Sequence, residues 1–266
     1  MDVGEAIEAV RRTFPFDGYT SAQEDAYRAI AAAVTGHLPP GARILDFGSG
    51  PCDKTAVLSL LGYSCSATDD LGDDWHGVAG HREKIQAFAA ATGVDFRPAG
   101  PGETPFQGER FDMVMLNDVL EHLHDSPREL LNDLLGLVGP GGLLLVTVPN
   151  AVAVRKRLDV LRGRTNLPPF AAYYWSRGPW RGHVREYSRD DLARLARFLG
   201  LQVVTLRGCH HMFHKLPPRL RLAYQAATAP FQGLKDSWLL VARKPPGWAA
   251  RRVPPAHEPA EVARWH

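Results

Sequence analysis

Residues Arg43–Val57 read RILDFGSGPCDKTAV. A short apolar run, Ile44 and Leu45, ends on an acid, Asp46. A tight small-residue loop of Gly48, Ser49 and Gly50 follows at once, and the residues beyond it suit a helix. Strand, glycine turn and helix start is the arrangement that lets backbone approach a nucleotide-like ligand closely. Two phosphate-binding readings fail on spacing. The dinucleotide fingerprint needs a third glycine three residues after the second, and Asp53 stands there; the G-x-x-x-x-G-K-[ST] loop has its Lys54-Thr55 end but not its glycines. A loop that merely needs glycines is the plain alternative.

The acid at the strand end narrows the ligand. A carboxylate there repels a pyrophosphate and suits an ammonium group. After an expected helix over Thr55–Leu61, the stretch YSCSATDD reads as a second strand ending in Asp69 and Asp70. In an open α/β sheet an acid at that position accepts both ribose hydroxyls. Asp69 is preferred because it falls first after the apolar run; a solvated acidic turn is the alternative, since Asp73 and Asp74 follow. An ammonium, a ribose diol and no phosphate together describe S-adenosylmethionine.

These segments resemble the class I S-adenosylmethionine-dependent methyltransferases, in their small-molecule and glycan branch. ILDFGSGPC is similar to the first motif and SATDD to the second. FDMVMLNDVLEHL (Phe111–Leu123) is similar to the fourth strand and following helix, and LVGPGGLLLVTVPN (Leu137–Asn150) to the turn and fifth strand. HVREYSRDDLARLARFLGLQVV (His183–Val204) is similar to the late helix and sixth strand. The matches keep the family's order from Arg43 to Val204, and more loosely to Lys244. The resemblance implies a doubly wound, mostly parallel, seven-stranded α/β sheet of Rossmann-like type, with S-adenosylmethionine as cofactor. It implies Asp46, Gly48, Ser49, Gly50, Asp69, Asp70 and Asn117 as cofactor residues, with Asn117 facing the adenosine or methionine portion. Two positions depart from the pattern. Cys52 stands where the family's third glycine usually sits, which implies a slightly wider loop. The acid that often follows the third strand and touches the adenine amine is replaced by Gly100, with Glu103 nearby.

The 266 residues suit a single domain over 1–244, including an N-terminal helical lid region (1–42) and an insertion after the fifth strand (151–182). The Pro- and Arg-rich stretch 245–266 is expected to be poorly ordered. Three cysteines without metal-like spacing favour a reducing compartment, and the acidic, amphipathic start is unlike a secretory signal, so a cytoplasmic protein is expected. Leu134–Val154 carries no charge, but Gly139–Gly142 and Pro149 break it into a helix end, a turn and a buried strand rather than a membrane span. Charge is strongly asymmetric: residues 1–150 hold 10 Lys+Arg against 22 Asp+Glu, and residues 151–266 hold 21 against 7. The acidic half suits a cationic cofactor. The basic half suits an anionic acceptor, an anionic membrane surface or nucleic acid, or else the two lobes attract one another. VAVRKRLDVLRGR (Val152–Arg164) reads as a basic amphipathic helix. NLPPFAAYYWSRGPWRG (Asn166–Gly182) is too long and aromatic for a plain loop, and its position predicts a cover over the acceptor.

An alcohol acceptor benefits from a base near its proton. Of eleven histidines, His122 and His183 are the candidates that sequence order places nearest the carboxyl edge of the sheet, with Tyr187 on the same side as His183. Arg181 and Arg185 flank this pair and suit a carboxylate or phosphate. Asp118, Glu121 and His122 fall at i, i+3 and i+4, one face of a helix. They resemble the Asp/Glu-x-x-Glu-His pattern of ubiquinone-biosynthesis O-methyltransferases, where magnesium is implied; packing and helix capping is the preferred reading, and no metal is expected. His210, His211 and His214 read as loop histidines, since no paired cysteines or H-E-x-x-H helix accompany them. The expected activity is methyl transfer, most readily at oxygen, to a small-molecule, glycan or lipid-linked acceptor. An RNA methyltransferase is the first alternative, though nucleic acid is disfavoured without a separate RNA-binding module. A non-catalytic cofactor-binding regulator or partner subunit is the second.

Overall fold

The computed structural model describes residues 1–73, 78–165, 167–211 and 217–253. Seven strands, β1 (Arg43–Phe47), β2 (Ser64–Thr68), β3 (Asp95–Phe96), β4 (Phe111–Asn117), β5 (Val138–Pro149), β6 (Gln202–Cys209) and β7 (Ser237–Arg243), form one sheet in the order β3-β2-β1-β4-β5-β7-β6. Neighbours from β3 to β5 run parallel, and β7 runs antiparallel to both β5 and β6. The strand order reverses between β1 and β4, and at such a point an open α/β sheet leaves a crevice above its carboxyl ends.

Alternate residues of the central strands enter opposite cores, as the period of a strand requires. Val114, Leu116, Leu144 and Val146 pack with Leu131, Leu134 and Leu135 of helix α5 (Arg128–Leu137) and with Leu192 and Ala196 of helix α8 (Arg189–Phe198). Met113, Met115, Leu143 and Leu145 pack with Ile30 and Val34 of helix α2 (Glu24–Thr35). Both faces being covered explains the unbroken apolar runs Met113–Leu116 in β4 and Leu143–Val146 in β5. Helix α1 (Val3–Thr13) packs with helix α3 (Asp53–Leu60), where Ile7 and Val10 meet Ala56 and Val57. Helix α4 (His81–Ala91) contributes Phe88 to that cluster. Capping boxes start α1 (Asp2 with Glu5) and α8 (Ser188 with Asp191), the latter anticipated by the sequence.

Two expectations change. The stretch after 245 is packed as far as it is described. Trp248 Nε1 donates to the Leu199 carbonyl at 2.6 Å, the Arg251 N–H to Asn132 Oδ1 at 2.7 Å, and Arg252 pairs with Asp133. Residues 254–266 lie outside the described residues. The segment after β4 is not a regular helix: Asp118 takes a left-handed backbone (φ 58), and only a short 3-10 turn, Leu120–His122, follows. The insertion holds two short helices, α6 (Val154–Leu161) and α7 (Phe170–Tyr174), neither with a buried residue. Before β7 a further helix, α9 (Pro218–Thr228), lies largely exposed.

Candidate active site

A cavity of about 780 Å³ opens at the carboxyl ends of β1, β2 and β4. Its floor is the loop after β1. Gly48 has φ +72, and a Cβ there would lie 2.5 Å from Val119 Cγ2, so no other residue fits without displacement. Gly50 also has positive φ, and Cys52 takes the same left-handed region (φ 63), so the loop bends at Cys52 as a third glycine would bend it. Asp69 faces this loop: one carboxylate oxygen accepts the Gly50 N–H at 2.7 Å and the other the Leu71 N–H at 2.7 Å. Gly48, Ser49, Gly50, Asp69, Asp70 and Asn117 all line the cavity. On its far side Gly100 and Glu103 also line it, the Gly100 N–H donating to the Glu103 carboxylate at 3.3 Å.

Asp46 is placed differently from a ligand-touching acid. It is fully buried and absent from the cavity wall; its carboxylate accepts from the Thr55 hydroxyl at 2.6 Å and from the Asn117 amide at 3.1 Å. Burial pushes it up to about 6 despite these two donors. It therefore fixes Asn117, which faces the cavity in its place. Asp70 is likewise engaged, by the Arg181 guanidinium at 2.9 Å.

The insertion returns over the cavity at Pro179, Trp180 and Arg181. Arg181 binds Asp70 and, at 3.0 Å, Asp73, so it ties the insertion to the acidic loop after β2. His122 Nδ1 lies 2.7 Å from the Arg181 carbonyl and His124 Nε2 2.6 Å from the Trp180 carbonyl. A carbonyl only accepts, so His122 Nδ1 carries a proton and the neutral ring keeps its lone pair on Nε2. Burial lowers the His122 pKa, and the His183 ring 5.0 Å away adds to this, which favours that neutral form. His183 sits behind His122, its Nδ1 2.9 Å from the Glu186 carboxylate. The N-terminal region enters the wall through Tyr19 and Gln23.

Tyr187 leaves the candidate set. Its ring is buried in the core and its hydroxyl donates to the Leu120 carbonyl at 3.3 Å, away from the cavity wall. The backbone from Gly182 to Tyr187 is irregular, so His183 and Tyr187 do not share a face. Asp118 parts from Glu121 and His122 for the same kind of reason, because its left-handed turn breaks the helical register. Asp118 lies 3.7 Å from Lys54 Nζ and 3.7 Å from His211 Nδ1, and accepts from the Thr147 hydroxyl at 3.3 Å. Burial alone would raise the Asp118 pKa, but His211 and Lys54 outweigh it and hold it well below the usual range. Glu121 is fully buried with neither carboxylate oxygen hydrogen-bonded. One ligand atom from each of Glu121, His122 and His183 lies within 4.8 Å of the others, so these three, rather than Asp118, make the donor set that a divalent cation would meet.

Two cavity-side residues escape the sequence reading. Lys54 belongs to a failed phosphate motif, yet it lines the cavity; burial would lower its pKa, and Asp53 and Asp118 outweigh burial and hold it charged. His211, read as a loop histidine, is buried beside Asp118. The available signal was topological: β6 runs parallel to β5, so residues just after β6 arrive at the carboxyl edge. His214 lies outside the described residues.

The family profile described as "Methyltransferase domain" matches residues 19–206. The chain belongs to that family, and its sheet is that of the class I S-adenosylmethionine-dependent methyltransferases, whose cofactor is S-adenosylmethionine. It is 32% identical over 113 residues to a ubiquinone biosynthesis O-methyltransferase of Caulobacter sp. (strain K31), a match covering 41% of this chain and 42% of that protein. It is 29% identical over 116 residues to the ubiquinone/menaquinone biosynthesis C-methyltransferase UbiE of Vibrio parahaemolyticus, covering 40% and 41%. The matches thus span about two fifths of the length of these relatives. Among solved structures, the Burkholderia thailandensis 1,6-didemethyltoxoflavin-N1-methyltransferase, with its substrate and S-adenosylhomocysteine bound, shares the fold at TM-score 0.54 and 21% identity, covering 92% of this chain and 91% of that one.

Proposed function

We propose that the protein transfers a methyl group from S-adenosylmethionine to a hydroxyl oxygen of a small-molecule, glycan or lipid-linked acceptor. The observation that carries this reading is His122: a ring kept neutral by burial, its Nδ1 committed to a carbonyl, at the wall of the cavity whose floor is the glycine loop. The cofactor supplies an electrophilic methyl on a sulfonium. Gly48, Ser49 and Gly50 would let the backbone approach it, Asp69 would accept from its ribose hydroxyls, and Asn117, fixed by Asp46, would orient it. His122 Nε2 would accept the acceptor's hydroxyl proton as the oxygen bonds to the methyl and the methyl–sulfur bond breaks, the electron pair staying on sulfur as the neutral thioether S-adenosylhomocysteine, and His183 positions His122 from behind. Trp180 and Arg181 exclude water. A positioned base contributes roughly 10²–10⁴-fold, and alignment of the two reactants supplies much of the rest.

The lining favours an uncharged or cationic acceptor over an anionic one. Asp69, Asp70, Asp73, Glu103, Asp118, Asp125, Glu129 and Asp133 line the cavity, against Lys54 and Arg181, and Arg181 is paired with two of them, Asp70 and Asp73. A tritiated methyl donor incubated with fractionated extract tests the proposal. Label in a low-molecular-weight or lipid fraction, stable to ribonuclease and carried on oxygen, is the expected result. Label lost on ribonuclease treatment would establish the RNA alternative, and calorimetric cofactor binding without turnover on any fraction would support a regulatory subunit.

A further inference from the structure

The part of the insertion that faces away from the cavity is unlike the rest of the surface. Four of its side chains or their neighbours stand out in water: Leu161 is 81% exposed, Trp175 77%, Leu222 of α9 76% and Phe170 72%. Leu158, Val160, Leu167, Tyr173 and Tyr174 are exposed as well. Soluble monomers seldom leave so many large apolar groups together in water without a use for them.

The α6 and α9 residues lie on neighbouring elements, and α7 follows α6 within the insertion. Asn150 Nδ2 donates to the carbonyls of Gly233 (3.1 Å) and Lys235 (2.7 Å), tying the start of the insertion to the turn before β7. The Arg157 guanidinium of α6 lies 3.9 Å from where a Gly233 Cβ would stand, and the Arg155 charge reaches the Tyr224 hydroxyl of α9. The exposed Leu158, Val160 and Leu161 of α6 are therefore near the exposed α9, with Phe231 between it and the turn. Tyr173 packs on Trp180 with ring centroids 5.4 Å apart, which connects the aromatic stretch to the cavity wall.

Arginine is interleaved with these apolar groups. Residues 151–182 hold seven Lys+Arg and one acid, Asp159. Lys156 pairs with Glu186 and Arg181 with Asp70 and Asp73, but Arg155, Arg162, Arg164 and Arg177 form no ion pair among the described residues. The combination selects among occupants. A second copy of this chain, docked by the same face, would set like charges against each other. A nucleic acid would meet the arginines and stack bases on the aromatic rings, but it gains nothing from Leu158, Val160, Leu161 or Leu222. An anionic lipid surface uses both: its headgroups attract arginine, Trp and Tyr settle at the headgroup level, and Leu and Phe enter the acyl boundary. No helix among the described residues is long and apolar enough to cross a membrane, so the contact is one of lying on a surface rather than spanning it.

We propose that this lobe, α6, α7 and α9 with Phe231, is a docking surface for an anionic phospholipid bilayer. Docking there brings Trp180, and with it the cavity wall, near the lipid. The proposal does not depend on which atom is methylated.

Flotation of the full chain with vesicles tests it, using phosphatidylcholine alone against phosphatidylcholine with one third phosphatidylglycerol. Binding to the anionic vesicles, weakened by salt, and little binding to the neutral ones is expected. The triple variant Arg155→Glu, Arg162→Glu, Arg164→Glu should bind anionic vesicles roughly a hundredfold more weakly, since each basic residue near the surface contributes about fivefold. The triple variant Leu161→Ser, Phe170→Ser, Trp175→Ser should also lose binding, with its charge intact. Unchanged calorimetric affinity for S-adenosylmethionine in both variants shows that the sheet and cofactor loop are folded. Equal recovery with neutral and anionic vesicles, or none with either, overturns the proposal. So does a concentration-dependent dimer in lipid-free sedimentation that the serine variant disperses, which would give the face to a second copy. Retention of an RNA oligonucleotide by the serine variant but not the glutamate variant, with no vesicle binding, would give it to nucleic acid.

Discussion

Glu121→Gln should stabilise the protein at neutral pH and flatten the dependence of its stability on pH. The carboxyl is fully buried and neither oxygen has a hydrogen-bond partner. Burial, and then the neighbouring charge of Asp118, raise its pKa well above the ordinary 4.5. Such an acid keeps its proton in the folded chain at a pH where the unfolded chain has lost it. Stability is then greatest below the unfolded value and falls as pH rises toward the folded one. The slope is about 1.4 kcal/mol per pH unit while only the unfolded form is ionised. Between pH 5 and 7 the loss reaches about 2.7 kcal/mol if the folded carboxyl stays protonated throughout, or roughly 5–10 °C in Tm for a chain of this size. Asp46, raised to about 6, adds a loss of the same sign in the lower window, between its ordinary 3.8 and that value. Glutamine resembles the protonated acid in shape and cannot ionise, so it removes the Glu121 contribution alone. Urea unfolding of both proteins at pH 5, 6, 7 and 8 measures this, and the difference between them should grow with pH. Parallel curves, or a glutamine variant weakened most at pH 8, would refute the reasoning; the carboxylate would then be charged and compensated in the folded chain, as a bound cation beside His122 and His183 would make it.

Gly48→Ala should abolish cofactor binding and lower stability by about 1–3 kcal/mol, since a left-handed alanine is strained and its methyl meets Val119; calorimetry and thermal melting check the two effects separately. Asp69→Ala should weaken S-adenosylmethionine binding by about ten- to a hundredfold through lost charge-assisted bonds to the ribose, together with the loosened Gly50 and Leu71 N–H groups. His122→Ala should lower kcat by roughly 10²-fold or more with little change in cofactor affinity, while His183→Ala should shift the pH–rate profile by relieving the depressed His122; a chelator that reproduces the His122→Ala loss would assign the effect to a cation held by Glu121, His122 and His183 instead.

The architecture was readable because its strands are buried on both faces. Ile44–Leu45, Met113–Leu116 and Leu143–Val146 are unbroken apolar runs, and only a covered parallel sheet accepts several of these in sequence. The glycine loop was readable because its backbone angles admit few residues, and Asp69 because it ends a strand. Asp46 looked the same in sequence as a ligand-touching acid; whether its carboxylate turns outward or toward Thr55 and Asn117 is a matter of side-chain packing that spacing does not encode. The helical face of Asp118, Glu121 and His122 failed because one left-handed residue, Asp118, resets the register, and aspartate adopts that region more readily than most. Lys54 and His211 were invisible because their partner, Asp118, lies far away in the chain. Trp248, Arg251 and Arg252 sit in a stretch whose composition resembles disorder, yet Leu199, Asn132 and Asp133 offer them specific partners.

The place of β7 has a consequence for how this protein leaves the ribosome. β7, the last of this sheet's seven strands in chain order, lies inside the sheet, hydrogen-bonded to β5 on one side and β6 on the other. Until residue 243 has emerged, β5 presents an open edge of unpaired backbone groups between apolar side chains, and β6 lacks its neighbour in the sheet. At about 5–20 residues per second the roughly hundred residues between β5 and the end of β7 take several seconds to appear. A nascent chain in that interval carries an unpaired edge of the kind that recruits other strands. Trp238, buried on β7 against Val148 and Gly208 in register, reports the moment of closure, and chains arrested before it should be the ones that chaperones hold.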